Sequence, residues 1–238
     1  MSVDVLAVGA HPDDVELGVG GLIHKLISTG HTVGILDLTR GEMSTRGSPE
    51  ERLTESENAA RILGVTQREN ARLPDGALAN THDQRRSVIP FIRRFRPTLL
   101  IIPMDTDRHP DHCAAHDLMR AAAFFSGLAR IETGQEPYRP ARVYGYHPYD
   151  DSSAPPALLV DISDHFEAKL AALRAYASQF HNPQYPGKQT HVASPEFWES
   201  IRTRAAYWGG RVGVAYGEPL FADGPVRVPL PPGLENTA

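Results

Sequence analysis

The sequence predicts an α/β fold built on a mostly parallel sheet with helices on both faces. Three observations carry this. Thr98–Pro103 is an unbroken apolar run and Val3–Gly9 a run of short apolar residues, as expected of strands buried on both faces. Segments with helical apolar spacing alternate with strands through the first half of the chain. Clusters rich in histidine and aspartate follow both runs directly, at strand carboxyl ends, where sheets of this class bind ligands.

The elements read in order. After the first strand, Val15 to Thr29 is helical, with Val15, Val19, Leu22, Ile23 and Leu26 on one face and Gly30 as the stop. Thr32–Leu38 is the second strand. Pro49–Leu63 is a helix with Ser48 as N-cap, Pro49 at the first position and Glu51 at the third. Asp83–Phe95 is a third helix, with a kink expected at Pro90. Asp111–Phe125, Asp164–Ser178 and Pro195–Tyr207 complete the helices, and Arg142–Tyr146 and Ala157–Asp161 the strands. Thr39–Ser48 and Gln179–Ser194 read as irregular loops. Residues 1–238 form one domain, with 217–238 an extended tail over the surface.

The 238-residue length suits a single α/β domain with its own core. A net charge of -5 argues against a nucleic-acid partner. The single cysteine, Cys113, allows no disulfide framework and fits a cytoplasmic location; its expected role is a small buried hydrophobe. No signal peptide or membrane span is read.

The chemistry lies in Ala10-His11-Pro12-Asp13-Asp14 and in His109-Pro110-Asp111-His112. A catalytic zinc takes three protein ligands from imidazole and carboxylate and keeps a position open. His11 and Asp14, three apart across a strand-to-helix turn, can face one ion, and His112 can supply the third ligand. Asp13, between two ligands in sequence, is then placed to take a proton from an attacking water. His109, one helical turn from His112, can stabilise an oxyanion or protonate a leaving amine. Asp111 can orient an imidazole.

Simpler roles compete with these. Paired aspartates often only cap a helix, and a His-Pro pair is usually a turn. Their joint placement after two strong strands favours a site. A dinucleotide loop is disfavoured although Gly18, Gly20 and Gly21 are near and Asp37 ends the second strand. The turn carries Asp13 and Asp14, which repel a pyrophosphate, and close packing explains glycines inside a helix. No Gly-x-Ser-x-Gly elbow is present for a serine hydrolase. A glycosidase would not need His11 and His112.

These two motifs resemble the LmbE-like (PIG-L-type) family of zinc N-deacetylases, and the similarity extends over almost the whole chain. Leu36–Glu42, Gly47–Arg52, Pro195–Phe197, Tyr207–Gly210 and Tyr216–Pro219 resemble the branch acting in bacillithiol biosynthesis. The resemblance implies a Rossmann-like three-layer α/β/α sandwich with one zinc per subunit, and hydrolysis of N-acetylglucosaminyl-malate to glucosaminyl-malate and acetate. It implies His11, Asp14 and His112 as metal ligands and Asp13 as general base. His109 becomes the histidine that assists the transition state, with Asp111 behind it. It further implies substrate contacts from Arg52, Arg108 and Arg139, the last from a neighbouring subunit, in a homo-oligomer, trimer or hexamer. Arginine forks suit the carboxylates of malate. The rival readings are a deacetylase of another N-acyl amino sugar, sugar-lipid or thiol conjugate, and a non-catalytic zinc-stabilised or nucleotide-binding module. Trp198, Tyr207 and Trp208 are expected in core or interface packing.

Overall fold

Side chains of a strand alternate between its faces, and this divides the core of the protein in two. In the computed structural model, which describes residues 2–149 and 155–228, Val5 and Ala7 of β1 (Val5–Gly9) join one apolar cluster. Leu6 and Val8 join the other. β1 pairs in parallel with β2 (Val33–Asp37) from Val5↔Val33 to Gly9↔Asp37, and with β4 (Leu99–Pro103) from Val5↔Leu99. With β3 (Gln67–Asn70) and β5 (Arg142–Tyr146) the order is β3-β2-β1-β4-β5, all parallel. This is the Rossmann-like arrangement expected. The order reverses between β1 and β4, so the loops leaving these two strands diverge and open a crevice at their carboxyl ends.

One face carries α1 (Asp14–Ser28), α2 (Pro49–Leu63), α5 (Phe166–Arg174) and α6 (Pro195–Gly210). The other carries α3 (His82–Phe95) and α4 (Pro110–Phe125), which pack on each other. α2 starts as its sequence dictates: the Ser48 hydroxyl accepts from Glu51 N at 3.1 Å, and Gly64 ends it in the left-handed region. α3 contains Pro90 within its span, and the non-helical residue falls instead in α1, at Val19 (φ -138°).

That break has a local cause. The helix restarts at Gly20, and its freed amides need an acceptor. Glu218 supplies it, accepting from Gly21 N at 3.0 Å and Leu22 N at 2.7 Å. Lys169 neutralises the buried carboxylate at 2.5 Å. Side chains at Gly18 and Gly21 would collide with Tyr146 and Ile162, so these glycines serve packing.

The expected surface tail at 217–238 is therefore corrected at its start. Gly217–Leu220 is β7, antiparallel to β6 (Leu158–Asp161), and Glu218 is buried. Residues 229–238 of that tail lie outside the described residues. β3 was not foreseen, because Gln-Arg-Glu-Asn carries no apolar signal. The helix expected over 164–178 is shorter: a 3₁₀ turn (Ser163–His165) precedes α5, which ends at Arg174. Trp208 is buried and Trp198 packs against the core, but Tyr207 is exposed. Cys113 is half-buried, its sulfur 3.6 Å from the Asp107 carbonyl, not a core hydrophobe.

Candidate active site

The crevice at the sheet's switch point holds both motifs. The turn after β1 delivers His11, Asp13 and Asp14, and the start of α4 delivers His109, Asp111 and His112. Asp14 lies between two imidazoles, with Oδ2 3.5 Å from His11 Nδ1 and Oδ1 3.1 Å from His112 Nε2. Donor atoms around a tetrahedral ion at 2.0–2.1 Å stand roughly 3.3 Å apart. Each imidazole is held on its other nitrogen by carboxylates. His112 Nδ1 is 3.0 Å from Asp107 Oδ1, and His11 Nε2 is 3.1 Å from Asp75 Oδ1 and 3.3 Å from Asp111 Oδ2. That is the carboxylate–histidine pairing used to orient metal ligands.

The electrostatics call for a cation. Burial opposes charge on His11 and His112, yet Asp14, Asp107, Asp111 and Asp75 overcome it. His112 is raised to about 9 and His11 well above its ordinary value. Burial also opposes charge on Asp14, but His112 and His11 hold its carboxyl well below the usual range. The contacts of His112 with Asp14 and Asp107 are at ion-pair distance but outside hydrogen-bond geometry, so both His112 nitrogens, Asp14 Oδ1 and Asp107 Oδ2 are buried without a well-formed hydrogen bond, an arrangement that an ion would relieve. His11, His109 and His112 also bring ligand atoms within 4.8 Å of one another, as do His11, Asp75 and Asp111. The cluster of imidazoles and carboxylates therefore fits a divalent metal.

Asp13 differs from its neighbours. Burial pushes its carboxyl up to about 7, while Arg52 pulls the other way. Arg52 Nη2 is 3.2 Å from Asp13 Oδ2 and also donates to the Pro12 carbonyl; Nη1 donates to Ser44 Oγ at 3.2 Å. Asp13 has φ 113°, a conformation that L residues rarely adopt. Such a backbone costs about 1–3 kcal/mol and is held by its surroundings. His109 caps α4, its Nδ1 accepting from Asp111 N at 3.2 Å, which leaves Nε2 to carry the proton. Burial lowers its pKa, with His11 and His112 adding to the effect, so it is neutral near pH 7.

A cavity of about 230 Å³ opens onto His11, Asp13, Arg52, Asp75, His109 and Tyr149. The Tyr149 ring lies parallel to His112, 5.2 Å away. One expectation changes here, and a second residue stands where a role in a neighbouring subunit would put it. Asp111 does not stand behind the His109 ring; its carboxylate faces His11 and accepts from Gly76 N at 2.8 Å. Arg139 is not in its own chain's site. It stacks on Phe124 at the far end of α4 and donates to the Phe124 carbonyl, roughly 20 Å along the helix from His109. Arg108 is exposed at the rim, 6.0 Å from the Tyr149 ring centroid. Sequence reading missed Asp75, Asp107, Tyr149 and Ser44 as site residues. Asp107 had a signal, standing two residues before the His109 motif. Asp75 lay in a Pro-Asp-Gly turn that gave no hint of its target. Asp37 accepts both arms of Arg68, at 2.8 and 2.9 Å, which gives it a structural role in place of a ribose contact.

Parallel sheet, switch-point crevice and a histidine–aspartate cluster beside a near-neutral carboxyl define a metal-dependent hydrolase. The PIG-L model, described as GlcNAc-PI de-N-acetylase, matches residues 6–123. A diacetylchitobiose deacetylase of Thermococcus kodakarensis is 33% identical over 230 residues, covering 90% of this chain and 80% of that protein. A 1D-myo-inositol 2-acetamido-2-deoxy-alpha-D-glucopyranoside deacetylase of Saccharopolyspora erythraea is 28% identical over 244 residues, covering 81% and 89%. The crystal structure of a conserved protein from Thermus thermophilus superposes with a TM-score of 0.86 at 40% identity, covering 95% of this chain and 98% of that one. The chain belongs to the PIG-L family of de-N-acetylases and is a hydrolase of the sugar N-acetyl amide.

Proposed function

We propose that this protein uses zinc, held by His11, Asp14 and His112, to remove the acetyl group of N-acetylglucosaminyl-malate. The observation that carries the chemistry is the buried cluster of imidazoles and carboxylates with the buried carboxyl of Asp13 beside it. A bound divalent ion supplies Lewis acidity toward the acyl carbonyl and makes water more acidic. Asp13 takes the proton of the attacking water; a base with a pKa near the working pH is well matched to that task. Arg52 favours the ionised form of Asp13 by its charge and fixes its direction through the 3.2 Å contact. His109, neutral with its proton on Nε2, donates to the oxygen on which negative charge develops. The proton held on Asp13 then passes to the departing amine. Asp107, Asp75 and Asp111 keep the two imidazoles oriented.

The malate conjugate is supported by the resemblance at Leu36–Glu42 and Gly47–Arg52 and by the cationic rim residue Arg108. The relatives above are named for chitobiose and inositol glucosides, so other N-acetylated amino-sugar conjugates form the second reading. In the proposed reading the protein acts in the cytoplasm as a homo-oligomer, trimer or hexamer, and Arg139 serves a neighbour's site. Among the described residues no helix is long and apolar enough to cross a membrane.

The test is acetate release from N-acetylglucosaminyl-malate, diacetylchitobiose and N-acetylglucosaminyl-inositol by metal-assayed protein, with Asp13→Ala beside wild type. Fastest turnover of the malate conjugate, lost in the variant while metal is retained, is the expected result. Preference for another conjugate moves the assignment to that substrate. Loss of metal in Asp13→Ala makes Asp13 a ligand and removes it as the base.

A further inference from the structure

Three non-glycine residues among those described have positive φ: Asp13, Arg72 and Arg96. Asp13 lies in the catalytic turn and Arg96 ends α3. Arg72, at φ 54°, ends no helix and touches no part of the active site. Asn70 holds it there. Its Oδ1 accepts from Arg72 N at 2.8 Å, and its Nδ2 donates to the Thr39 carbonyl at 2.5 Å, one residue before Arg40. One side chain thus sets the two backbones that carry Arg40 and Arg72, just past the ends of β2 and β3.

Both arginines border a cavity of about 240 Å³ that shares no lining residue with the catalytic one. The Arg52–Pro12 contact lies between the two. The opposite wall is one face of α2, where Glu50, Leu53 and Glu57 stand at i, i+3 and i+7. Leu53 is 57% exposed and, with Pro12 and Pro49, gives the cavity an apolar floor. The other charges at this edge are already engaged: Asp37 with Arg68, and Glu69 with Arg94. Among the described residues, Arg40, Arg72, Glu50 and Glu57 form no ion pair with one another or with other side chains. Two exposed guanidiniums and two exposed carboxylates, none of them in an ion pair, therefore border one cavity with an apolar strip.

We propose that this cavity is a second, non-catalytic ligand site that takes a small zwitterion. Its anionic group, carboxylate or phosphate, lies between Arg40 and Arg72. Its amine lies against Glu50 and Glu57, and a body about the size of one sugar ring covers Leu53. A simple anion would meet the two glutamates, and a simple cation the two guanidiniums; a zwitterion matches both walls. This site does not depend on the substrate assigned to the catalytic cavity.

The experiment is calorimetric titration of the metal-loaded full chain with glucosamine 6-phosphate and with muramic acid. These are amino-sugar zwitterions that carry phosphate and carboxylate respectively. Glucose 6-phosphate and glucosamine serve as single-charge controls. The variants are Arg72→Gly, in which glycine accepts the positive φ, and Glu57→Gln; unchanged deacetylase activity shows that both remain folded. At least one zwitterion is expected to bind wild type about tenfold more tightly than either control, and to lose about tenfold in each variant. The stronger of the two zwitterions identifies the anionic group. No binding by either zwitterion overturns the proposal. So does equal binding of glucose 6-phosphate, or affinity unchanged in both variants, which would place the probe in the catalytic cavity.

Discussion

Replacing Arg52 by glutamine removes the positive charge that opposes burial at Asp13 while leaving a polar side chain of similar reach. The guanidinium stands 3.2 Å from the carboxylate, and both side chains are buried. An opposite charge at such a distance lowers a carboxyl pKa by roughly 1–3 units, each unit worth about 1.4 kcal/mol. Burial already pushes Asp13 to about 7 with Arg52 in place. The sign follows: losing the cation raises the pKa further, so the basic form appears only at higher pH. The acid limb of kcat/KM should shift upward by roughly 1–3 units. At pH 7 the ionised fraction falls with that shift, by up to about tenfold for each unit. The assay is the pH profile of kcat/KM for acetate release, with metal content matched so that the ion's charge enters both profiles equally. Recovery of the variant at alkaline pH, and return of the limb in Arg52→Lys, are the expected results. A limb that stays in place while the rate falls equally at every pH would refute the reasoning and make Arg52 a substrate contact only.

Other perturbations follow from the same structure. His112→Ala should lose bound metal, measured by elemental analysis; unchanged content removes it from the ligand set. Asp107→Asn leaves the proposed ligands His11, Asp14 and His112 in place but weakens the hold on His112 Nδ1, and should cost about 10–100-fold in metal affinity or activity. A metal titration beside steady-state kinetics separates the two. Glu218→Ala strands the buried Lys169 ammonium and uncaps the restarted half of α1. It should destabilise the fold by about 3–5 kcal/mol in urea unfolding, and a change below about 1 kcal/mol would show that the pair is not strongly coupled to folding.

The strands and helices that build the site are legible in the chain's own residue pattern, because their signals are local. Apolar runs mark β1, β2 and β4, and caps such as Ser48 and Gly64 mark α2. The two metal-type motifs were legible for the same reason: their residues are close in sequence and follow buried strands. Tertiary structure alone decided what comes together across distance. It brought Asp75 to His11 across 64 positions, Arg52 to Asp13 across 39 and Glu218 to Gly21 across 197. It turned Asp111 toward His11 and left Arg139 at the far end of α4. It also made a strand of the polar segment Gln67–Asn70, which pairs by its backbone with β2 and needs no apolar pattern to do so. Periodicity reports which face of an element is buried, whereas partners and charge balance depend on which faces meet, and only the packed chain sets that.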